Sequence, residues 1–198
     1  LVSISSTGTI TVVGSIPGEM RCNLATDGVN IIISAGIARY QYNVAGGLTQ
    51  ITDPDHQPGN TSTYMNRRII MDGAGGEFQV ATLDDPDDIN SLNFATAESS
   101  PDDTIAVYAY KERVLVCGSQ SIEIWYNDGT ADFPPFSRIE GATQQFGIAA
   151  VHSLASDDTH VYCLSSDRHI YRIVDIDAQR MTPIPMERFL EDNTISDA

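Results

Sequence analysis

Apolar positions in this chain fall in short runs rich in β-branched and aromatic residues, separated by clusters of Gly, Asp, Asn and Pro. Examples are Val29-Asn-Ile-Ile-Ile-Ser34, Ala38-Arg-Tyr-Gln-Tyr42, Arg68-Ile-Ile-Met71, Thr104-Ile-Ala-Val-Tyr-Ala-Tyr110, Arg113-Val-Leu-Val-Cys117 and His160-Val-Tyr-Cys-Leu164. Such runs bounded by turn residues predict strands. A helical i, i+3, i+4, i+7 stripe is missing except over the terminal Met186-Glu-Arg-Phe-Leu-Glu-Asp-Asn193. The chain is therefore expected to be all-β, with a strand every ten residues or so.

A longer period lies over the strands. Four segments share an apolar strand, a turn of small or polar residues, and an alternating strand that opens on a large apolar residue. Those opening residues are Ile37, Phe78, Ile122 and Ile170, spaced 41, 44 and 48 residues apart. Weaker strands follow at Leu48–Ile51, Phe136–Ile139 and Met181–Ile184, and Ile10–Val13 reads as the outer strand of a preceding unit. A repeat of 40–50 residues with about four strands is the signature of a β-propeller blade, which buries its faces only against its neighbours. The expected architecture is a β-propeller portion over 1–198, with a blade remnant over 1–26 and blades at roughly 27–65, 66–103, 104–150 and 151–190. It reads as a slice of a larger propeller. The absence of an initiator Met likewise suggests a fragment or a trimmed product.

Charge narrows the function. The chain has 27 acids against 11 bases, a net charge of −16, and a single lysine, Lys111. Residues 69–110 contain nine acids and no Lys or Arg. Affinity for a duplex comes largely from cations that displace condensed counterions, so direct DNA binding is not expected. Anionic membranes are disfavoured for the same reason, and no apolar run reaches the roughly 20 residues of a membrane-spanning helix. Cys22, Cys117 and Cys163 form no spaced framework and are expected to be buried thiols in a reducing compartment.

Candidate chemistry is sparse. Gly73-Ala-Gly-Gly76 is dense in glycine, but a strand-like Glu77-Phe-Gln-Val80 follows where a phosphate-binding helix should start. His160 and Cys163 would point to opposite faces of a strand and could not share a zinc ion. Asp84-Asp-Pro-Asp-Asp88 lacks the glycine and distal Glu of a calcium loop. Trp125-Tyr-Asn-Asp128 resembles the nucleophile motif of invertase-like glycosidases. Gly129 replaces that motif's Pro, and the family's other signatures do not occur. Asn127-Asp-Gly129 is instead the composition of a positive-φ turn. No catalytic, cofactor-binding or metal-ligating residues are expected, and the protein is not expected to be an enzyme. Trp125, Tyr126, Phe133 and Phe136 form a candidate partner-contact surface, or alternatively a stacking platform for carbohydrate.

Residues 104–148, TIAVYAYKERVLVCGSQSIEIWYNDGTADFPPFSRIEGATQQFGI, resemble the packaged-DNA stabilisation proteins of short-tailed bacteriophages, also called tail hub or head-completion proteins. The matching elements are the strand before Gly118-Ser119, Ser121-Ile-Glu123, the Phe-Pro wall, Arg138-Ile-Glu-Gly141 and Gly147-Ile148. Phe133-Pro-Pro-Phe136 has one proline more than the pattern, and the chain is shorter than a full member. The resemblance implies a virion tail protein, assembled in the host cytoplasm. It would form a homo-oligomer, contact portal or adaptor and tail needle proteins, and close the portal channel over the packaged genome.

Overall fold

The computed structural model describes residues 1–18, 21–97, 102–129, 135–193 and 195. Strands β1 (Val2–Ile4) and β2 (Ile10–Val12) form a hairpin of their own. Four four-stranded antiparallel meanders follow. The first holds β3 (Asn23–Thr26), β4 (Ile31–Ser34), β5 (Arg39–Asn43) and β6 (Gly47–Gln50). The second holds β7 (Ser62–Met65), β8 (Arg68–Asp72), β9 (Glu77–Val80) and β10 (Phe94–Thr96). The third holds β11 (Thr104–Tyr110), β12 (Arg113–Gly118), β13 (Ile122–Asn127) and β14 (Phe136–Arg138). The fourth holds β15 (Ala155–Ser156), β16 (Val161–Leu164), β17 (Ile170–Val174) and β18 (Asp177–Arg180), and helix α1 (Ile184–Asp192) ends the order.

The first strand of each sheet lies innermost. Strand β3 lies against β7 and β7 against β11, and the Tyr108 hydroxyl meets Ser156 Oγ at 2.9 Å between β11 and β15. Three cores fill the gaps between successive sheets. Ile32, Ile51, Ile69, Met71 and Ile89 join the first two. Ile70, Phe78, Val114, Val116 and Trp125 join the second and third. Leu115, Cys117, Ile124, Val161, Cys163 and Ile173 join the third and fourth. These are blades of a β-propeller, consistent with a slice of a larger ring, and each sheet contributes one face to each neighbouring core.

The structure shifts several elements from their expected places. Strands β3 and β7 precede the expected unit starts at 27 and 66, because short, half-polar inner strands leave little apolar pattern. Val2–Ile4 pairs with Ile10–Val12, so the latter is one arm of a hairpin. The outer strand of the fourth sheet is Asp177–Arg180 and not Met181–Ile184, the register being set by Val174↔Asp177. The repeat also needs one correction. Phe78, Ile122 and Ile170 are each the first large apolar residue of a blade's third strand, opposite Asp72, Cys117 and Leu164. The residue opposite Ser34 is Arg39, whereas Ile37 sits in the preceding turn, 78% exposed.

Arg39 is fully buried. Its Nη2 donates to Asp72 Oδ1 at 2.6 Å and to the carbonyls of Asp72 and Thr61 at 2.7 and 3.0 Å. Its Nε donates to Ser34 Oγ at 3.1 Å and its Nη1 to the Gln57 carbonyl at 2.6 Å. Asp72 also accepts the backbone N–H groups of Asn60 and Thr61, each at 2.8 Å. Burial pulls the guanidinium below its usual pKa and pushes the Asp72 carboxyl above its own; each charge offsets part of that penalty for the other. Gly59 lies against both groups, and a Cβ there would strike the guanidinium and the Asp72 carbonyl.

Removing one member of a buried pair strands the other charge. Asp72→Ala should therefore lose roughly 3–5 kcal/mol in urea unfolding, and Arg39→Met with Asp72→Leu should recover much of that loss. His56 supplies a pH signature. Its Nε2 lies 3.2 Å from Arg39 Nη1, and an arginine can only donate there, so the ring must be neutral. Burial first, and Arg39 second, lower the His56 pKa to about 4 from 6.5. The unfolded chain therefore binds the extra proton more readily. The His56 contribution should be complete above pH 6.5 and fade as the pH falls towards 4, and His56→Gln should flatten that part of the stability profile.

Candidate functional site

Trp125, Tyr126, Phe133 and Phe136 are the candidates for the contact surface, and strand alternation decides which of the described side chains are available. Strand β13 is paired on both sides, to β12 and to β14. Glu123 and Trp125 share the face turned towards the second blade, and both are buried. The Trp125 ring meets Phe78 edge-on, with centroids 5.1 Å apart and planes at 76°. Its Nε1–H donates to Glu123 Oε2 at 2.9 Å, and Arg138 Nη1 approaches Glu123 Oε1 at 3.4 Å. The buried carboxylate thus has an indole and a guanidinium as partners. Phe136 is buried in the same core.

Tyr126 points the other way and is 41% exposed. Phe133 lies outside the described residues. The four aromatic candidates are therefore not gathered on one surface: Trp125 and Phe136 pack between blades, and Tyr126 faces solvent. A sugar-stacking platform requires exposed ring faces, which neither Trp125 nor Phe136 offers. Asn127-Asp-Gly129 opens the β13–β14 hairpin. Gly129 has φ +70°, its N–H donates to Asn127 Oδ1 at 2.8 Å, and Asp128 accepts a hydrogen bond from Ser137 Oγ.

The other motifs also resolve into architecture. Gly73–Gly76 is the β8–β9 turn, with Gly75 and Gly76 at φ +66° and +80°. Asp84 pairs with the Arg67 guanidinium across the surface. His160 stands in a turn organised by Asp157, which accepts the backbone N–H of Thr159 and of His160, both at 2.7 Å. Cys163 is buried next to the third blade. Burial pushes the Cys163 thiol up to about 12 and raises Cys117 as well, so both stay protonated. Cys22, expected inside, is exposed because it precedes the innermost strand at the edge of an axial cavity.

Most of the residues that carry the family resemblance converge on the joints of the third blade. Gly118 ends β12 with Asp102 where its side chain would be, and Asp102 Oδ2 accepts the Gln120 N–H at 2.6 Å. Gly147 lies flat on the Gly118 carbonyl and the Ser119–Gln120 backbone. The Ile148 N–H donates to the Gly118 carbonyl, and the Ala149 N–H to the Leu164 carbonyl of the fourth blade, both at 2.9 Å. The pattern quoted above thus includes the instructions for locking one blade to the next.

A family profile described as bacteriophage P22 Gp10, beta-propeller, matches residues 1–187. The chain belongs to this phage propeller family. Its fold is also similar to solved structures at low identity. The computationally designed Ika4 protein is 14% identical with a TM-score of 0.53, covering 83% of this chain and 98% of that one. BamB from Moraxella catarrhalis is 10% identical with a TM-score of 0.53, covering 81% of this chain and 48% of that one. The extracellular domain of a putative one component system, BT4673 from B. thetaiotaomicron, is 14% identical with a TM-score of 0.60, covering 88% and 24%. The chain therefore spans about half of one natural protein and a quarter of the other. No curated protein sequence matches it significantly. The family is one of phage structural proteins, and among the described residues no helix is long and apolar enough to cross a membrane.

The two tryptophan-side neighbours should separate cleanly by mutation. Trp125→Ala empties an inter-blade core and should cost about 3–5 kcal/mol in chemical denaturation. Tyr126→Ala should stay within about 0.5 kcal/mol of the parent.

Proposed function

We propose that this protein is a tail hub component of the virion that closes the portal channel and retains packaged DNA through protein–protein contacts. Membership of a phage structural propeller family carries this reading. The charge of −16 supports the mechanism: with few cations to displace counterions, the protein would hold the genome by blocking its exit and would not grip the duplex. An acidic wall would also let DNA slide past during ejection. The blade-to-blade joints suit this task, since buried hydrogen bonds and apolar cores hold the blades in fixed positions.

In the assembled tail the chain would form a homo-oligomer and contact portal or adaptor and tail needle proteins. Of the four aromatic residues proposed for those contacts, Tyr126 is the one to test first, because its ring is accessible. Trp125 and Phe136 would act by holding its strand in place. No catalytic step is part of this reading.

Particles assembled without the protein should package DNA and then lose it, whereas supplying the protein to filled heads should restore retention. Stable filled heads in its absence would overturn the proposal. Purified protein should give no gel shift with duplex DNA at physiological salt, and tight duplex binding would refute mechanical retention. Hydrolysis of a glycan panel abolished by Asp128→Asn would instead establish a glycosidase. Saturable glycan binding lost in Tyr126→Ala would establish a carbohydrate module.

A further inference from the structure

The inner strands border a solvent-open cavity of about 190 Å3 where the first, second and third blades meet the segment leading into the fourth. Its walls include Arg21 and Asn23 from the first blade, Thr61 before β7, Tyr108 on β11 and His152 before β15. No Asp or Glu is among the described residues that line it. That is unexpected in a chain where acids outnumber bases 27 to 11.

The walls present hydrogen-bond donors. Asn23 Oδ1 accepts the Ser62 N–H at 2.8 Å, which fixes the amide orientation and leaves both NH2 hydrogens to donate. Thr61 Oγ1 accepts the Val107 N–H at 2.8 Å, which leaves its O–H proton to donate. Arg21 supplies a permanent positive charge, and the His152 imidazole hydrogen-bonds the Arg21 backbone within reach of that charge. The volume falls below the roughly 300–1,000 Å3 of organic ligand sites. The cavity is thus of a size for a small ion, cationic, donor-rich and, among the described residues, lined by no carboxylate.

We propose that this axial cavity binds a small tetrahedral oxyanion of the phosphate or sulfate type, held by Arg21, Asn23, Thr61 and His152. The anion bridges the first and fourth blades, whose sheets are far apart in sequence, and so fastens the inner ring. Burial first and Arg21 second hold the His152 pKa below its ordinary value. The other titratable groups lining the cavity are the Cys22 thiol and the Tyr108 phenol. A bound oxyanion counters the effect of Arg21 and favours the imidazolium.

The test is an NMR titration of the His152 ring in phosphate and in chloride at equal ionic strength. Phosphate should raise the His152 pKa by about one unit, with an unfolding midpoint that climbs with phosphate concentration. Arg21→Gln should remove the phosphate effect. Asn23→Asp keeps the acceptor for the Ser62 N–H but places a carboxylate in the cavity, so it should abolish phosphate binding while the fold persists in chloride. Identical titrations in the two salts would overturn the proposal. So would a phosphate effect that survives Asn23→Asp, which would mark an adventitious surface ion only. A short DNA duplex should leave His152 unmoved, and an equal shift with duplex would refute a site sized for a free ion.

Discussion

The guanidinium of Arg39 occupies the place where every other blade puts an apolar side chain, and it can stay there only because Asp72 and the surrounding carbonyls replace the water it has lost. A buried charge without such partners costs several kcal/mol. Much of the joint between the first and second blades follows from that requirement. The Gln57 and Thr61 carbonyls must turn inward, Gly59 must lack a side chain, and His56 must stay neutral to accept a hydrogen bond from arginine. The segment connecting the blades has no regular secondary structure, yet it is held by the Arg39–Asp72 pair together with Gln79, which accepts the Gln57 N–H and donates to the Asp55 carbonyl.

The later joints meet the same demand with other chemistry. Between the second and third blades, Phe78 fills the position of Arg39 and meets Trp125 edge-on. Between the third and fourth, Ile122 takes that place, and the flat backbone of Gly118 and Gly147 allows the chain to cross over the turn. A blade cannot bury both faces alone, so each joint is part of the core and not an accessory to it. A protein whose proposed task is to stand in a channel under load has its cohesion in these joints. In the same proposal its net charge of −16 would discourage adhesion to DNA.

Much of the fold was legible in the sequence. β-branched runs cut by Gly and Asp gave the strands, their spacing gave the blade period, and the strand after Gly73–Gly76 argued against a phosphate-binding loop there. The candidate site was less legible. Trp125 and Tyr126 are adjacent and both aromatic, and nothing local says which is covered. Strand β5 is more misleading still: Arg39 and Gln41 are buried while Tyr40 and Tyr42 are only partly covered, the reverse of what side-chain polarity suggests. The eye therefore settles on Ile37 and misses Arg39.

The sequence by itself determined the all-β class, the repeat, the resemblance to a phage family and the charge that argues against a grip on DNA. These are properties of local pattern and composition, and they survive without knowledge of neighbours. Only the tertiary structure decided which face of each strand is inside, that Arg39 replaces an apolar residue, and that Arg21, Asn23, Thr61 and His152 surround one axial cavity. Alternation establishes that a strand has two faces. Which of them is buried, and what it meets there, depends on the adjoining blade, and the residues that meet lie some 30 to 130 positions apart along the chain.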